Sequence, residues 1–205
     1  MSQLIYEDTD LTQLVTPEND FANPEDESEI DGDTGETKYK YLWIAIEQTK
    51  LSAGINDTTE DIPLVAARFL DTNLPVIIIG TEKMKIKGRF GTDNVEVTRG
   101  YKGTTKASHS QNDPVYLCYN STGTTIVAKD NSGSDEAAWL TFCLAPGGVP
   151  DNNYNSHPTP LSLGSINYNQ KVQIRRRVIV PASTESGAKD DLLEKVAANL
   201  KEYEI

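Results

Sequence analysis

The chain has 205 residues, 37% of them hydrophobic, and a formal net charge of −12. That length suits one large domain or two small ones, and no apolar run approaches the roughly 18–20 residues that a membrane-spanning helix needs. Of the 31 acidic residues, 12 fall in 1–37, where there is no Lys or Arg; the other 19 acids balance all 19 bases, so the body lacks the basic excess of a nucleic-acid binder.

In chain order, residues 1–37 read as an acidic N-terminal arm. Their apolar groups are sparse, and such a segment cannot offset its own ordering entropy in a free monomer. Leu4, Ile5 and Tyr6, with Leu11 to Val15, are the anchors by which it would order against a neighbouring subunit. No base precedes Lys38 and no apolar signal core is visible, so the expectation is folding in a cytosol-like compartment.

Tyr41 to Ile46 is an aromatic and β-branched strand. Leu64 to Leu70 is an apolar run that reads as a short helix or a strand, and periodicity at this length does not decide between the two. Leu74 to Ile79 reads as a buried strand. Met84 and Ile86 then alternate with Lys83, Lys85 and Lys87, which predicts a half-exposed strand with its lysines in water. Turn residues 91–94 and a second strand at Val95 and Val97 complete a hairpin. Strands follow at 115–119, 125–128 and 138–144, a Pro/Gly/Asn-rich loop at 146–160, and a strong strand at 171–180. Leu192, Leu193, Val196, Ala197 and Leu200 carry helical spacing, and a helix is expected over 189–199.

Strands about ten residues apart predict a mainly β chain. The expected fold is two small β-sandwich or barrel-like modules, 38–120 and 121–205, behind the arm of 1–37. Cys118 and Cys143 lack the ligand number of a zinc site and sit in apolar runs, so they read as buried free thiols.

In Thr98 to Gly103, Gly100 and Gly103 permit positive φ where the chain reverses. The five N–H groups of Arg99 suit capping loop carbonyls or pairing Glu82 or Glu96, and His109 is expected to hydrogen-bond a loop backbone. This structural role for Arg99, Gly100, Gly103 and His109 outweighs a ligand-binding one. His109 and His157, without a spacing signature or a G-x-S-x-G elbow, give no case for catalysis. The acidic turns 31–36 and 130–136 lack the full calcium loop. No enzyme, metal or cofactor is therefore expected.

The stretch VEVTRGYKGTTKASHSQNDPV, residues 95–115, resembles a short segment recurring in structural proteins of tailed bacteriophages. Ile79-Gly80-Thr81-Glu82 matches that segment's "I-G-x-E" lead, Val97 to Gly100 with Gly103-Thr104 its centre, and His109 its His. Asn112 or Asp113 stands where the family has Gly. LTFCLAPGGVPDNN, residues 140–153, is similar to the strand and loop of small β-sandwich modules in phage neck and tail proteins; those modules end on a strand near "E-I", as Glu204-Ile205 does here. The resemblance implies a virion structural subunit of tail, neck or head decoration, made in the host cytoplasm, whose partners are other virion proteins and copies of itself.

Arg175, Arg176 and Arg177 interrupt a strand. Alternation places Arg176 with Val172, Ile174, Val178 and Val180, where a lone buried Arg is costly. A bulge, an acidic partner or an intersubunit interface would each resolve this, and the acidic arm favours the interface. The competing function is a host-surface or carbohydrate-binding fibre module, with Tyr154 and His157 of the long loop touching a glycan. A glycosidase would require paired carboxylates that nothing here singles out.

Overall fold

A computed structural model describes residues 3–11, 13–15, 32–130, 136–184 and 192–205. The chain is mainly β. Its strands are β1 (Gln3–Tyr6), β2 (Glu36–Ile46), β3 (Gln48–Lys50), β4 (Asp61–Pro63), β5 (Val76–Ile79), β6 (Glu82–Gly88), β7 (Asn94–Thr98), β8 (Pro114–Leu117), β9 (Tyr119–Asp130), β10 (Leu140–Leu144), β11 (Leu161–Ile166), β12 (Lys171–Val180) and β13 (Leu192–Glu202). Short 3-10 turns occupy 101–103, 136–139 and 146–148. Among the described residues no helix is long and apolar enough to cross a membrane.

Two packed bodies result. In the first, a four-stranded sheet of order β1-β2-β12-β10 faces a three-stranded sheet of order β11-β9-β13. Alternate residues of β2 and β12, among them Leu42, Ile44, Ile174 and Val178, meet Ile126, Ile166 and Val196 from the facing sheet. Each such side chain, fully buried, contributes about 1.5–3 kcal/mol. The second body is a six-stranded sheet of order β3-β8-β5-β6-β7-β4. Its edges curl towards each other: Leu51 bridges Leu64, and the amides of Ser52 and Val65 donate to Pro63 O and Lys50 O. The unpaired edges of an open sheet are thereby largely removed. β5 is buried at all four positions, which explains why VIII runs without alternation.

The boundary between the bodies differs from the expected division at 120/121. β2 pairs with β12 in ten consecutive positions from Lys171↔Ala45 to Val180↔Glu36. Residues 36–46 therefore belong to the sandwich with 119–202, and the six-stranded body is inserted between β2 and β9. A strand reads the same on either side of such an insertion, so local pattern did not assign it.

Three further expectations are corrected. Residues 192–199 are strand, not helix, paired with β9 from Leu192↔Asp130 onward; 189–191 lie outside the described residues. After the Leu51–Leu64 bridge, residues 65–70 form neither helix nor strand. Lys83 is only 2% exposed, whereas Lys85 and Lys87 face water as expected. The chain end covers that face, and the Lys83 ammonium donates to Tyr203 O and lies 3.4 Å from Glu202.

Nor is the arm wholly dispensable to the monomer. β1 pairs with β2, and Tyr6 is fully buried with Leu11 against Ala45. Residues 1, 2, 12 and 16–31 of the arm lie outside the described residues, as do 131–135 of the second acidic turn. Cys118 and Cys143 are free and buried.

Candidate functional site

The turn after β7 is a locked polar core. β6 begins at Glu82, just past the reversal at Gly80, and β7 delivers Arg99 beside it. Arg99 Nε and Nη2 each donate to a Glu82 carboxylate oxygen at 2.7 Å. Nη1 donates to the carbonyls of Asn56 and Thr59 at 2.7 and 2.9 Å, and Nη2 also to Ala107 O at 2.6 Å. Every N–H of the fork is used. Glu82, 1% exposed, also accepts the Gly100 amide at 3.2 Å, the Ala107 amide at 3.0 Å and a contact from His109 Nε2 at 2.9 Å. Burial pushes its carboxyl up, but Arg99, His109 and the Ala107 amide together outweigh burial and hold it at about 2.

Arg99, Gly100 and His109 therefore meet at Glu82, whereas Gly103 lies at the end of the following turn. Gly100 and Gly103 have φ of +64° and +80°. One detail differs from the expectation: the His109 ring meets the Glu82 carboxylate rather than a backbone group, and the His109 backbone, held by reciprocal bonds with Ile55, fixes the residue beside it. A buried cluster so fully satisfied holds loops together and has little left with which to engage a ligand.

The arginine run divides by parity. Arg176 points into the sandwich, 5% exposed, and pairs with Glu194 of β13 at 3.0 Å. Of the three resolutions weighed for it, the acidic partner is the one realised, and Arg176 is not offered to another chain. Arg175 and Arg177 lie on the outer face, opposite Tyr41 and Tyr39 of β2 and Cys143 and Thr141 of β10. The 146–160 loop folds over them. Arg175 donates to Tyr154 Oη and to Asn152 Oδ1, and Arg177 to Thr141 Oγ1. The guanidinium carbons lie 5.4 and 3.8 Å from the Tyr154 ring centre, and Arg175 lies 4.6 Å from that of Tyr39. Burial pushes the Tyr154 hydroxyl up to about 12, so it remains a neutral phenol between two cations. Neither arginine has a carboxylate within ion-pair distance among the described residues. Tyr39 and Ile179 flank them, 56% and 39% exposed.

Leu4, Ile5 and Tyr6 form β1, with Leu4 opposite Ala45, Ile5 opposite Ile44 and Tyr6 opposite Trp43. They lie towards the Lys171 end of β12, and the structure does not bring them onto Arg175 and Arg177. Sequence reasoning missed the latch of Lys83 and Lys102 on Glu202, the latter pair 2.8 Å apart. Its members are 100 residues or more apart, and no local pattern links them.

Compared with known protein families, curated proteins and solved structures, the chain matches none.

Proposed function

We propose that this chain is a structural subunit of a tailed-bacteriophage particle, of tail, neck or head-decoration type. It works through protein–protein contacts and carries out no reaction of its own. The observation that carries this reading is the outer face of the β1-β2-β12-β10 sheet. Arg175 and Arg177 are half-buried there, stacked on tyrosines and held by Asn152 and Thr141, with no carboxylate partner among the described residues. Tyr and Arg are the side chains that anchor interfaces, and Arg binds both oxygens of a carboxylate. The acid excess of residues 1–37 supplies complementary charge on every other copy. The phage-like segment of 79–109 supports the setting: its charged members are used to lock a loop, as a scaffold requires.

A glycan-binding fibre module is less well supported. The aromatic singled out for it, Tyr154, already has two guanidiniums against its ring.

The test is the double variant Arg175→Gln with Arg177→Gln, measured for incorporation into particles at low and raised salt. Exposed ion pairs contribute about 0–1 kcal/mol each, so a several-fold loss at low salt is expected, with wild type approaching the variant as salt rises. Equal incorporation at both salt levels overturns the role of this face.

A further inference from the structure

We propose that residues 3–15 form an exchangeable docking unit that seats on the β2 edge of a second copy in the position it occupies on its own chain. The setting rests on the assembly role proposed above, but the geometry stands alone. The segment makes its own hairpin: Tyr6 bridges Leu14, the Glu7 amide donates to Gln13 O at 2.9 Å, and the Val15 amide to Ile5 O at 3.0 Å. What it contributes is a strand and a plug. β1 covers positions 43–46 of β2, and Tyr6 and Leu11 bury against Ala45. Glu7 to Lys40, at 2.9 Å, and Thr9 to Lys171 fix the rim.

These contacts are with β2, β12 or the segment itself, Tyr6 also lies by Gln48 and Arg68, and β1 touches β13; a second copy presents all of the same surface. The enthalpy of docking is therefore equal in the two arrangements. The choice falls to the connection and to local concentration. Adjacent antiparallel strands need a loop of only about 2–5 residues, yet here 29 separate Tyr6 from Glu36. Of these, 16 lie between Val15 and Gly32 and span up to about 50 Å when extended. The return along β2 from the level of Ile44 to Glu36 needs only about 26 Å at strand rise. The surplus reaches a neighbour in contact without strain. A β2 edge left open by one arm is also a template that must be filled, and in an assembly the arm of the next copy fills it with a matched surface.

The test mixes two full-length single variants, Leu4→Cys and Ala45→Cys, whose positions face each other across the pair. Under mild oxidation a disulfide between positions 4 and 45 in this mixture joins different chains. A covalent dimer on a non-reducing gel, rising with concentration and identified by its cross-linked peptide, is expected. Thr9→Cys mixed with Lys171→Cys, both exposed positions, repeats the measurement with a short bis-maleimide should Ala45→Cys fold poorly. Folded chains that give no dimer linked through either pair of positions at any concentration overturn the exchange. That outcome leaves the virion role intact, because the role is decided separately by whether the chain is found in particles.

Discussion

At the scale of single residues, the fold of the inserted body turns on Glu82 and the glycines that follow Arg99. Replacing Glu82 by Gln leaves the buried Arg99 charge uncompensated, which costs about 3–5 kcal/mol. Urea unfolding should show a midpoint lowered accordingly. The same carboxyl predicts acid sensitivity. Its value of about 2 lies below the ordinary 4.5. A depressed carboxylate stabilises the fold fully above the unfolded value and loses that stabilisation as pH falls through the folded one. Roughly 3 kcal/mol should disappear between about pH 5 and pH 2, and the Glu82→Gln variant should lack this dependence. The two glycines should rank. Both need positive φ, so Val at either costs about 1–3 kcal/mol in strain. At Gly100 an added Cβ would also meet Thr104 O at 2.9 Å, whereas at Gly103 it meets nothing within 4 Å. Gly100→Val should therefore be the more damaging by thermal melting; equal shifts would remove the steric part of the argument.

At the scale of elements, the strands that could be read were those whose pattern has one explanation. β12 was legible to its end residues because β-branched positions alternate across it, and the Gly100–Gly103 turn was legible because few residues tolerate its conformation. β13 was not legible. Leu192, Val196 and Leu200 repeat every four residues, and a period of four satisfies both a helix and the even positions of a strand. Pairing with β9 decides it, together with Glu194, which strand parity directs at Arg176. Lys83 misled for the opposite reason: its alternation was sound, but what lay over that face was the chain end. Arg175 and Arg177 stand out in the sequence because the only run of three basic residues falls in a β-patterned strand of a neutral body behind an acidic leading segment. Their separation from Arg176 follows from the two-residue period, and their stacking on Tyr154 from a loop whose path sequence does not give.

At the scale of the whole molecule, the six-stranded body is an insertion between β2 and β9, and the chain end returns to it. Lys83, whose side chain is 3% exposed, is held by Glu202 and Tyr203 O, and the Tyr203 amide donates to Cys118 O at 2.9 Å. This latch should couple the two bodies. Removing residues 202–205 uncovers Lys83 as it removes its partners, so the ammonium returns to water and the cost is that of the lost hydrogen bonds and packing, about 1 kcal/mol for each hydrogen bond. Calorimetry should show one transition in the intact chain and two in the truncated one; a single transition in both would place the coupling elsewhere. The uneven charge of the leading segment is the whole-molecule feature on which the proposed repeated contacts with like chains rest. On the virion role proposed above, a cryo-EM map of purified phage particles decides whether the chain makes them. The chain should stand at regularly repeating positions, with the Tyr39, Arg175 and Arg177 face against an acidic surface of another chain. Particles that lack the chain, or that hold it with that face open to solvent at every position, would contradict the proposed role.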